Sequence, residues 1–251
     1  MLNVGHAAEV FCHLDSPVNE MFLITLHAKK RTMHKGLKAV LFDFDGVIVD
    51  TEEQYTEFWA DVARHYLPEE KDFATRIKGQ SLTDVFDRYF PDCAVQESIR
   101  RNLDEAQKTM RYDYIPGAPA FVQALRDSGI KTAVVTSSDN AKMNRVYALR
   151  PEIATMFDRV FTSEDYCESK PSPDCFITAA KYFGFEPCQC VVAEDSINGL
   201  KAAGASGSFV LGLSTTNTPE TVGKYADLVI PDFSNFTIKG LETAFEACGR
   251  C

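Results

Sequence analysis

The chain has 251 residues, a hydrophobic content of 45% and a formal net charge of −10. This length and composition allow a large buried core in one domain or two. The acidic balance and the absence of a basic run argue against a nucleic-acid binder or a protein held on an anionic membrane surface. No apolar run is long enough to span a bilayer, and the chain begins without a basic secretory signal, so we expect a cytoplasmic protein.

The first part of the chain differs from the rest. Residues 1–36 hold four of the five histidines and show no clear period. We interpret this segment as an N-terminal extension that is not part of the core, either an appended arm or an over-extended start. From Leu37 the pattern becomes a buried strand at 37–44, which runs into the stretch LFDFDGVIVDT at 41–51. Two aspartates interrupt that apolar stretch, and an unpaired charge taken out of water is costly.

A block of helices follows this strand. Apolar residues recur at helical spacing over 52–66 and 94–112, and Ser81 opens another helix with a capping-box pattern. The stretch IPGAP ends the block, because glycine and proline interrupt helices. We therefore predict a helical cap domain at 52–115, inserted into a core domain made of two pieces, 37–51 and 116–251.

Beyond the block, short apolar runs rich in β-forming residues alternate with helices. Strands are predicted at 131–136, 158–162, 190–194, 208–213 and 227–231, and helices at 118–128, 139–149, 173–184 and 196–205. Such alternation is typical of a parallel sheet covered by helices on both faces. The predicted fold class is thus a doubly wound, Rossmann-like α/β core. No G-x-G-x-x-G follows the first strand, which argues against a dinucleotide binder.

Polar side chains stand where the predicted strands end, and ligands bind at that edge of an open parallel sheet. These residues are Asp43, Asp45, Thr136, Ser137, Lys170, Glu194 and Asp195. The first two aspartates are two residues apart, so they would project to the same side of an extended chain. With the Glu194–Asp195 pair, they would crowd four carboxylates into one small site.

Four carboxylates repel one another unless a cation lies among them. Mg²⁺ suits such a site, because it binds through one or two carboxylates, water and a substrate phosphate. The Thr136 hydroxyl and the Lys170 ammonium suit phosphate oxygens. A carboxylate nucleophile, Mg²⁺, a hydroxyl donor and a lysine are together the parts of a phosphoryl-transfer site.

Two other classes fit less well. A signalling receiver that accepts a phosphoryl group uses clustered aspartates, a hydroxyl and a lysine, but it needs no inserted cap. A Ser-His-Asp hydrolase is poorly supported, because His65 is the only histidine after residue 36. The cysteine pairs at 188–190 and 248–251 lack a second pair at zinc-type spacing, so we predict no zinc site there.

Four stretches, DFDGVIVDT, VVTSS, SKPSPD and AEDSINGLKAAGASG, resemble the motifs of the haloacid dehalogenase superfamily. The resemblance covers about residues 37–232 and is closest to the β-phosphoglucomutase-like phosphatases, which carry a helical cap. It implies that Asp43 is the nucleophile that becomes an aspartyl phosphate, and that Asp45 is the general acid and base. It also implies that Thr136 and Lys170 hold the phosphoryl oxygens.

The same resemblance implies the ligands of the metal and of the phosphate. Mg²⁺ would be bound by Asp43, the main-chain carbonyl of Asp45, Asp195 and, beside them, Glu194. Gly46 and Ser137 would contribute further phosphate contacts. A dehalogenase proper is a weak alternative, since it needs no Mg²⁺ and gains nothing from an acid/base residue at position 45.

Two positions in the predicted cap distinguish this chain from the family's mutases. The family's mutases have a cap histidine just after the "DT" of the first motif, where this chain has Tyr55. They also have an arginine after "KGVS", whereas "KGQS" is followed here by Leu82. We expect Lys78, Gln80 and Tyr55 to contact the substrate.

The resulting prediction is a monomeric, Mg²⁺-dependent phosphatase for a small phosphorylated metabolite, with a sugar phosphate favoured. β-Phosphoglucomutase-type phosphotransfer is the alternative enzyme.

Overall fold

Apolar runs form a six-stranded sheet in the structure, a computed structural model that describes residues 36–249. Its strands are β1 (Ala39–Phe42), β2 (Lys131–Val135), β3 (Arg159–Phe161), β4 (Cys190–Glu194), β5 (Phe209–Leu213) and β6 (Leu228–Ile230). They are parallel throughout, in the order β3-β2-β1-β4-β5-β6. The strand order reverses at β1, and the predicted doubly wound α/β fold is confirmed. The predicted N-terminal extension lies outside the described residues, apart from Gly36.

Eleven α-helices accompany the sheet in residues 36–249. They are α1 (Glu52–Tyr66), α2 (Phe73–Arg76), α3 (Leu82–Tyr89), α4 (Cys93–Thr109), α5 (Ala118–Asp127), α6 (Asn140–Leu149), α7 (Ile153–Met156), α8 (Asp174–Tyr182), α9 (Ile197–Ser206), α10 (Pro219–Val222) and α11 (Ile238–Cys248). Helix α1 has the predicted bounds. Helix α4 ends three residues before the predicted end at 112, because Met110 is already extended. The structure adds α11, a helix that the sequence analysis does not assign.

Strand β1 lies inside the sheet, and its sequence is apolar throughout because both of its faces are buried. Side chains alternate between the two faces of a strand. Val40 and Phe42 enter one apolar cluster, and Ala39 and Leu41 enter another on the opposite face. All four are fully buried, as expected for a parallel strand covered by helices on both faces.

Helices α1 to α4 surround a third apolar cluster. Its most buried aromatic side chains are Phe73, Phe86 and Phe90, and Trp59 packs edge-on against Phe73. Ser81 caps α3 by accepting a hydrogen bond from the N–H of Asp84, as the capping pattern predicts. A separate core is what an inserted domain needs. It supports our interpretation of 52–115 as a cap, whose boundaries stay a prediction.

Among residues 36–249, no helix combines the length and the apolar character that crossing a membrane requires. The cytoplasmic location and the monomeric state stay predictions.

Candidate active site

The chain turns sharply after β1, and this turn positions the first motif. The N–H groups of residues 47–49 all donate to the carbonyl of Phe44. Gly46 has φ +77, a value that L side chains rarely adopt. A Cβ atom at Gly46 would also overlap the carboxylate of Asp195. Glycine is therefore required here by the backbone turn and by the close approach of a carboxylate.

Lys170 lies fully buried between two carboxylates. Its Nζ donates to Asp43 Oδ1 at 2.8 Å, to Glu194 Oε1 at 2.7 Å and to the carbonyl of Val135 at 3.1 Å. Burial lowers the pKa of Lys170, but the two carboxylates outweigh burial and hold that pKa well above its usual value. An ammonium has three donors, and the protein engages all of them. Lys170 could therefore attract a phosphate through its positive charge, but it has no N–H left to donate to it.

Three carboxylates form a group suited to a cation. Ligand atoms of Asp43, Glu194 and Asp195 lie within 4.8 Å of one another. Burial raises the pKa of Asp43 to about 7 and raises the pKa of Asp195 well above its usual value. Oδ2 of Asp195 accepts a hydrogen bond from Thr216, whereas Oδ1 is buried and has no hydrogen-bond partner among the described residues. An orphaned buried carboxylate oxygen fits a metal ligand, so the residues present fit Mg²⁺.

Glu194 is engaged at both of its oxygens. Oε1 accepts from Lys170, and Oε2 accepts from the N–H of Asp195 and from the N–H and hydroxyl of Ser196. Gly199 leaves room for it, because a Cβ there would overlap the Glu194 carboxyl group. Glu194 thus anchors the charged cluster to the start of α9.

The structure corrects the expectation of four crowded carboxylates. The Asp45 side chain is not a member of the cluster formed by the other three. Its Oδ1 accepts from the Thr51 hydroxyl at 2.5 Å, and its Oδ2 accepts from Lys142 Nζ at 2.5 Å and from the Ser138 hydroxyl at 3.3 Å. The two aspartates diverge because the chain leaves the extended conformation directly after β1. The main-chain carbonyl remains the group that Asp45 could offer to a metal.

The cap loop KGQS rests on the core at the predicted phosphate site. The Ser137 hydroxyl donates to the carbonyl of Gly79 at 2.7 Å, and the Asn198 amide donates to the carbonyl of Lys78 at 2.7 Å. Thr136 is buried, and its Oγ1 accepts from the N–H of Ser138 at 3.1 Å. These contacts bring the predicted cap and core residues together.

A cavity of about 280 Å³ lies between the cap loop and the sheet edge. The predicted residues that line it are Asp43, Asp45, Tyr55, Lys78, Gln80, Thr136 and Ser137. Lys170, Glu194 and Asp195 are buried and are not among the lining residues. The cavity wall therefore includes cap residues, the carboxyl ends of β1 and β2 and the first turn of α6, and Asp43 links it to the buried Lys170.

The three cap residues predicted to contact the substrate, Tyr55, Lys78 and Gln80, each have a hydrogen-bond or ion-pair partner within the protein. The Tyr55 hydroxyl accepts from the Gln107 amide at 3.1 Å, and burial raises its pKa well above the usual value. Lys78 Nζ lies 2.6 Å from a carboxylate oxygen of Glu52. The Gln80 amide donates to the carbonyl of Arg76 at 3.0 Å.

Sequence reasoning missed Lys142 and Glu52. Lys142 lies in the first turn of α6, where the helix dipole disfavours a cation, and this mismatch was a usable signal. Glu52 has no such signal, since an acidic residue in the first turn of α1 is what the dipole favours. Only the fold shows that Glu52 pairs with the cap lysine.

The carboxylate cluster, the buried lysine and the capped cavity at the carboxyl edge of a doubly wound sheet are together suited to an enzyme of phosphoryl transfer. The family model described as haloacid dehalogenase-like hydrolase matches residues 37–207, more than half of the chain. The chain belongs to this family and is an enzyme. The family resemblance seen in the motifs is confirmed, and the signalling-receiver alternative no longer applies.

Known proteins of two activities are similar to this chain. The β-phosphoglucomutase of Bacillus subtilis is 29% identical over 225 residues, which cover 84% of this chain and 96% of that protein. Hexitol phosphatase A of Escherichia coli is 32% identical over 211 residues, which cover 80% of this chain and 94% of that protein. The solved β-phosphoglucomutase of Clostridium difficile has a TM-score of 0.71 at 21% identity, covering 84% of this chain and 98% of that one. At that identity, the structural likeness shows the fold alone.

Proposed function

We propose that this protein is a Mg²⁺-dependent phosphatase that hydrolyses a small phosphorylated metabolite, with a sugar or sugar-alcohol phosphate favoured. The observation that carries the proposal is the position of Asp43. Its carboxylate lines the cavity under the cap and is held from behind by the buried Lys170. The substrate class follows from the relatives, one of which is a hexitol phosphatase.

In the first half of the reaction, a carboxylate oxygen of Asp43 bonds to phosphorus while the ester P–O bond breaks. Asp45 donates its proton to the leaving oxygen, which departs as an alcohol. In the second half, Asp45 takes a proton from water as the water oxygen bonds to phosphorus and the Asp43–phosphorus bond breaks. The net reaction converts a phosphate monoester and water into an alcohol and inorganic phosphate.

Charge neutralisation completes the site. Asp43, Asp195 and the main-chain carbonyl of Asp45 would hold Mg²⁺, with Glu194 beside them, and the bound ion would offset the charge of the phosphoryl oxygens. We expect Thr136 to donate its hydroxyl to a phosphoryl oxygen, because this hydroxyl accepts a hydrogen bond from the N–H of Ser138 and can still donate its own proton.

The cap favours hydrolysis over mutase chemistry. Leu82 lines the cavity where the family's mutases carry an arginine, and an isobutyl group cannot clamp a second phosphate. The hydroxyl of Tyr55, at the position of the mutase histidine, is hydrogen-bonded to Gln107. With fewer groups to retain a bisphosphorylated sugar, water becomes the second acceptor.

The test is a panel of hexose and hexitol phosphates assayed for release of inorganic phosphate with Mg²⁺ and with excess EDTA. We expect release with at least one substrate, and loss of release in EDTA. Full turnover in EDTA would contradict the proposed site. The Asp43→Asn variant is the matched control, because its amide keeps the shape of the carboxylate but is a very poor nucleophile.

A second assay tests the alternative that this protein is a mutase. β-Glucose 1-phosphate is supplied with a trace of the 1,6-bisphosphate, and the products are resolved. Phosphate release supports the phosphatase. Rapid formation of glucose 6-phosphate without inorganic phosphate would identify a mutase instead.

A further inference from the structure

One lysine of the cavity wall contacts the proposed acid/base residue and has no part in the mechanism derived from the motifs. Lys142 Nζ lies 2.5 Å from Asp45 Oδ2, and the lysine side chain is only 8% exposed. The ammonium also lies 4.3 Å from the centre of the Tyr55 ring. A nearly buried cation needs such partners, and the carboxylate and the ring face supply them.

The start of α6 determines where this lysine emerges. Asp139 caps the helix by accepting a hydrogen bond from the N–H of Lys142 at 2.8 Å. A cation in the first turn faces the positive end of the helix dipole, which is unfavourable by itself. The contact with Asp45 compensates for that position. Lys142 is thus held at its backbone by the helix cap and at its ammonium by Asp45.

The other donors to Asp45 are of a different kind. Thr51 and Ser138 are neutral hydroxyls, which can rotate to donate elsewhere. Lys142 is the charged donor to Asp45 among the described residues, and charge-assisted hydrogen bonds are about twice as strong as neutral ones. Without Lys142, the Asp45 carboxylate would be held only by two hydroxyls.

We infer that Lys142 is a positioning residue that orients Asp45 for both proton transfers, an inference that rests on the proposed phosphatase function. In the first half-reaction, Asp45 must reach the leaving oxygen. In the second, it must reach the attacking water. A misdirected carboxyl group slows both steps, but the first step depends on it only when the leaving group needs a proton.

This dependence on the leaving group gives a test. Lys142→Met and Lys142→Gln are compared with the wild type in the full chain, using an alkyl phosphate from the panel and 4-nitrophenyl phosphate. For the alkyl phosphate, we expect kcat to fall by about 10- to 100-fold. We expect KM to change by no more than about twofold, since uniform binding is kept. For the aryl phosphate, we expect a burst of 4-nitrophenolate followed by slow turnover, because only water attack still requires Asp45.

Two further variants separate positioning from packing. Lys142→Arg keeps a charged donor and should restore kcat to within about fivefold of wild type, because charge-assisted donation is retained. Lys131→Met removes an ion pair with Asp158 at the far end of β2 and should leave both assays unchanged. Thermal melting of each variant shows that the loss occurs in folded protein.

Three outcomes would overturn the inference. One is an unchanged kcat in Lys142→Met, and another is a rise in KM alone, which would make Lys142 a substrate ligand. The third is an equal loss with both substrates, no burst and no rescue by arginine. If the wild-type chain releases no phosphate from any substrate with Mg²⁺, the proposed function itself fails before a variant is made.

Discussion

Replacing Lys170 tests whether its ammonium group compensates the buried negative charges of Asp43 and Glu194. In Lys170→Met, the ion pairs of 2.8 Å and 2.7 Å to Asp43 and Glu194 disappear, while both carboxylates stay buried. The lysine side chain is 0% exposed, so solvent does not screen these pairs. Breaking a buried pair by removing one partner costs about 3–5 kcal/mol, mainly because an uncompensated charge remains.

The assay is urea denaturation of the full chain at pH 7.5 in excess EDTA. We expect Lys170→Met to lower the free energy of unfolding by about 3–5 kcal/mol. The exposed pair of Lys131 and Asp158 is the control, and Lys131→Met should cost no more than about 1 kcal/mol. The cost at position 170 should shrink when Mg²⁺ is added, because the cation replaces part of the lost positive charge.

A double-mutant cycle with Glu194→Gln isolates the cause. Removing Glu194 as well takes away part of the unpaired negative charge, so the double variant should lose less stability than the two single losses combined. If Lys170→Met costs no more than Lys131→Met, or if the two losses are simply additive, the reasoning about mutual compensation is refuted.

Three more predictions follow from the site. Asp43→Asn should abolish phosphate release while its circular dichroism spectrum stays that of the wild type; retained turnover would remove the proposed nucleophile. In EDTA, the free energy of unfolding should fall as pH rises from about 4 to 7. The pKa of Asp43 is about 7 in the folded protein against 3.8 in the unfolded chain. Over this range the folded state therefore keeps a proton that the unfolded state releases. Mg²⁺ competes with that proton, so the rise in Tm that it causes should be larger at pH 8 than at pH 5; an equal rise would contradict this linkage. Gly46→Ala should weaken Mg²⁺ binding in calorimetry by at least about tenfold, through overlap with Asp195 and strain at φ +77; unchanged affinity would place the metal elsewhere.

The polar residues at the strand ends could be predicted from the sequence because they stand out against their surroundings. Parallel strands covered on both faces are apolar throughout, so Asp43, Thr136 and Glu194 are conspicuous at the ends of such runs. The topology of an open parallel sheet then brings them to one edge. The alternation of short β-rich runs with helices was enough to predict the fold class.

The direction of each side chain could not be predicted in the same way. Asp43 and Asp45 are two residues apart, and their carboxylates diverge because the chain leaves the extended conformation directly after β1. Lys142 and Glu52 depend on contacts between elements far apart in the sequence. Local spacing does not reveal such contacts. Helix α11 is different, since it has a local signal: Leu241 and Phe245 follow the N-cap residue Thr237 at helical spacing.

The charges around the cavity support the proposal that this site binds one divalent cation. Three lysines are each paired with carboxylates: Lys170 with Asp43 and Glu194, Lys142 with Asp45, and Lys78 with Glu52. Asp195 is paired with a threonine hydroxyl instead. When all of these groups are ionised, the five carboxylates and three ammonium groups carry a formal charge of −2, which one Mg²⁺ would cancel. Without the cation, this charge favours protonation, which the raised pKa values of Asp43 and Asp195 reflect. With the cation bound, a phosphate dianion would meet carboxylates whose charge is balanced. The lysines therefore hold the carboxylates together without neutralising them fully, and the uncompensated part of the charge matches one divalent ion.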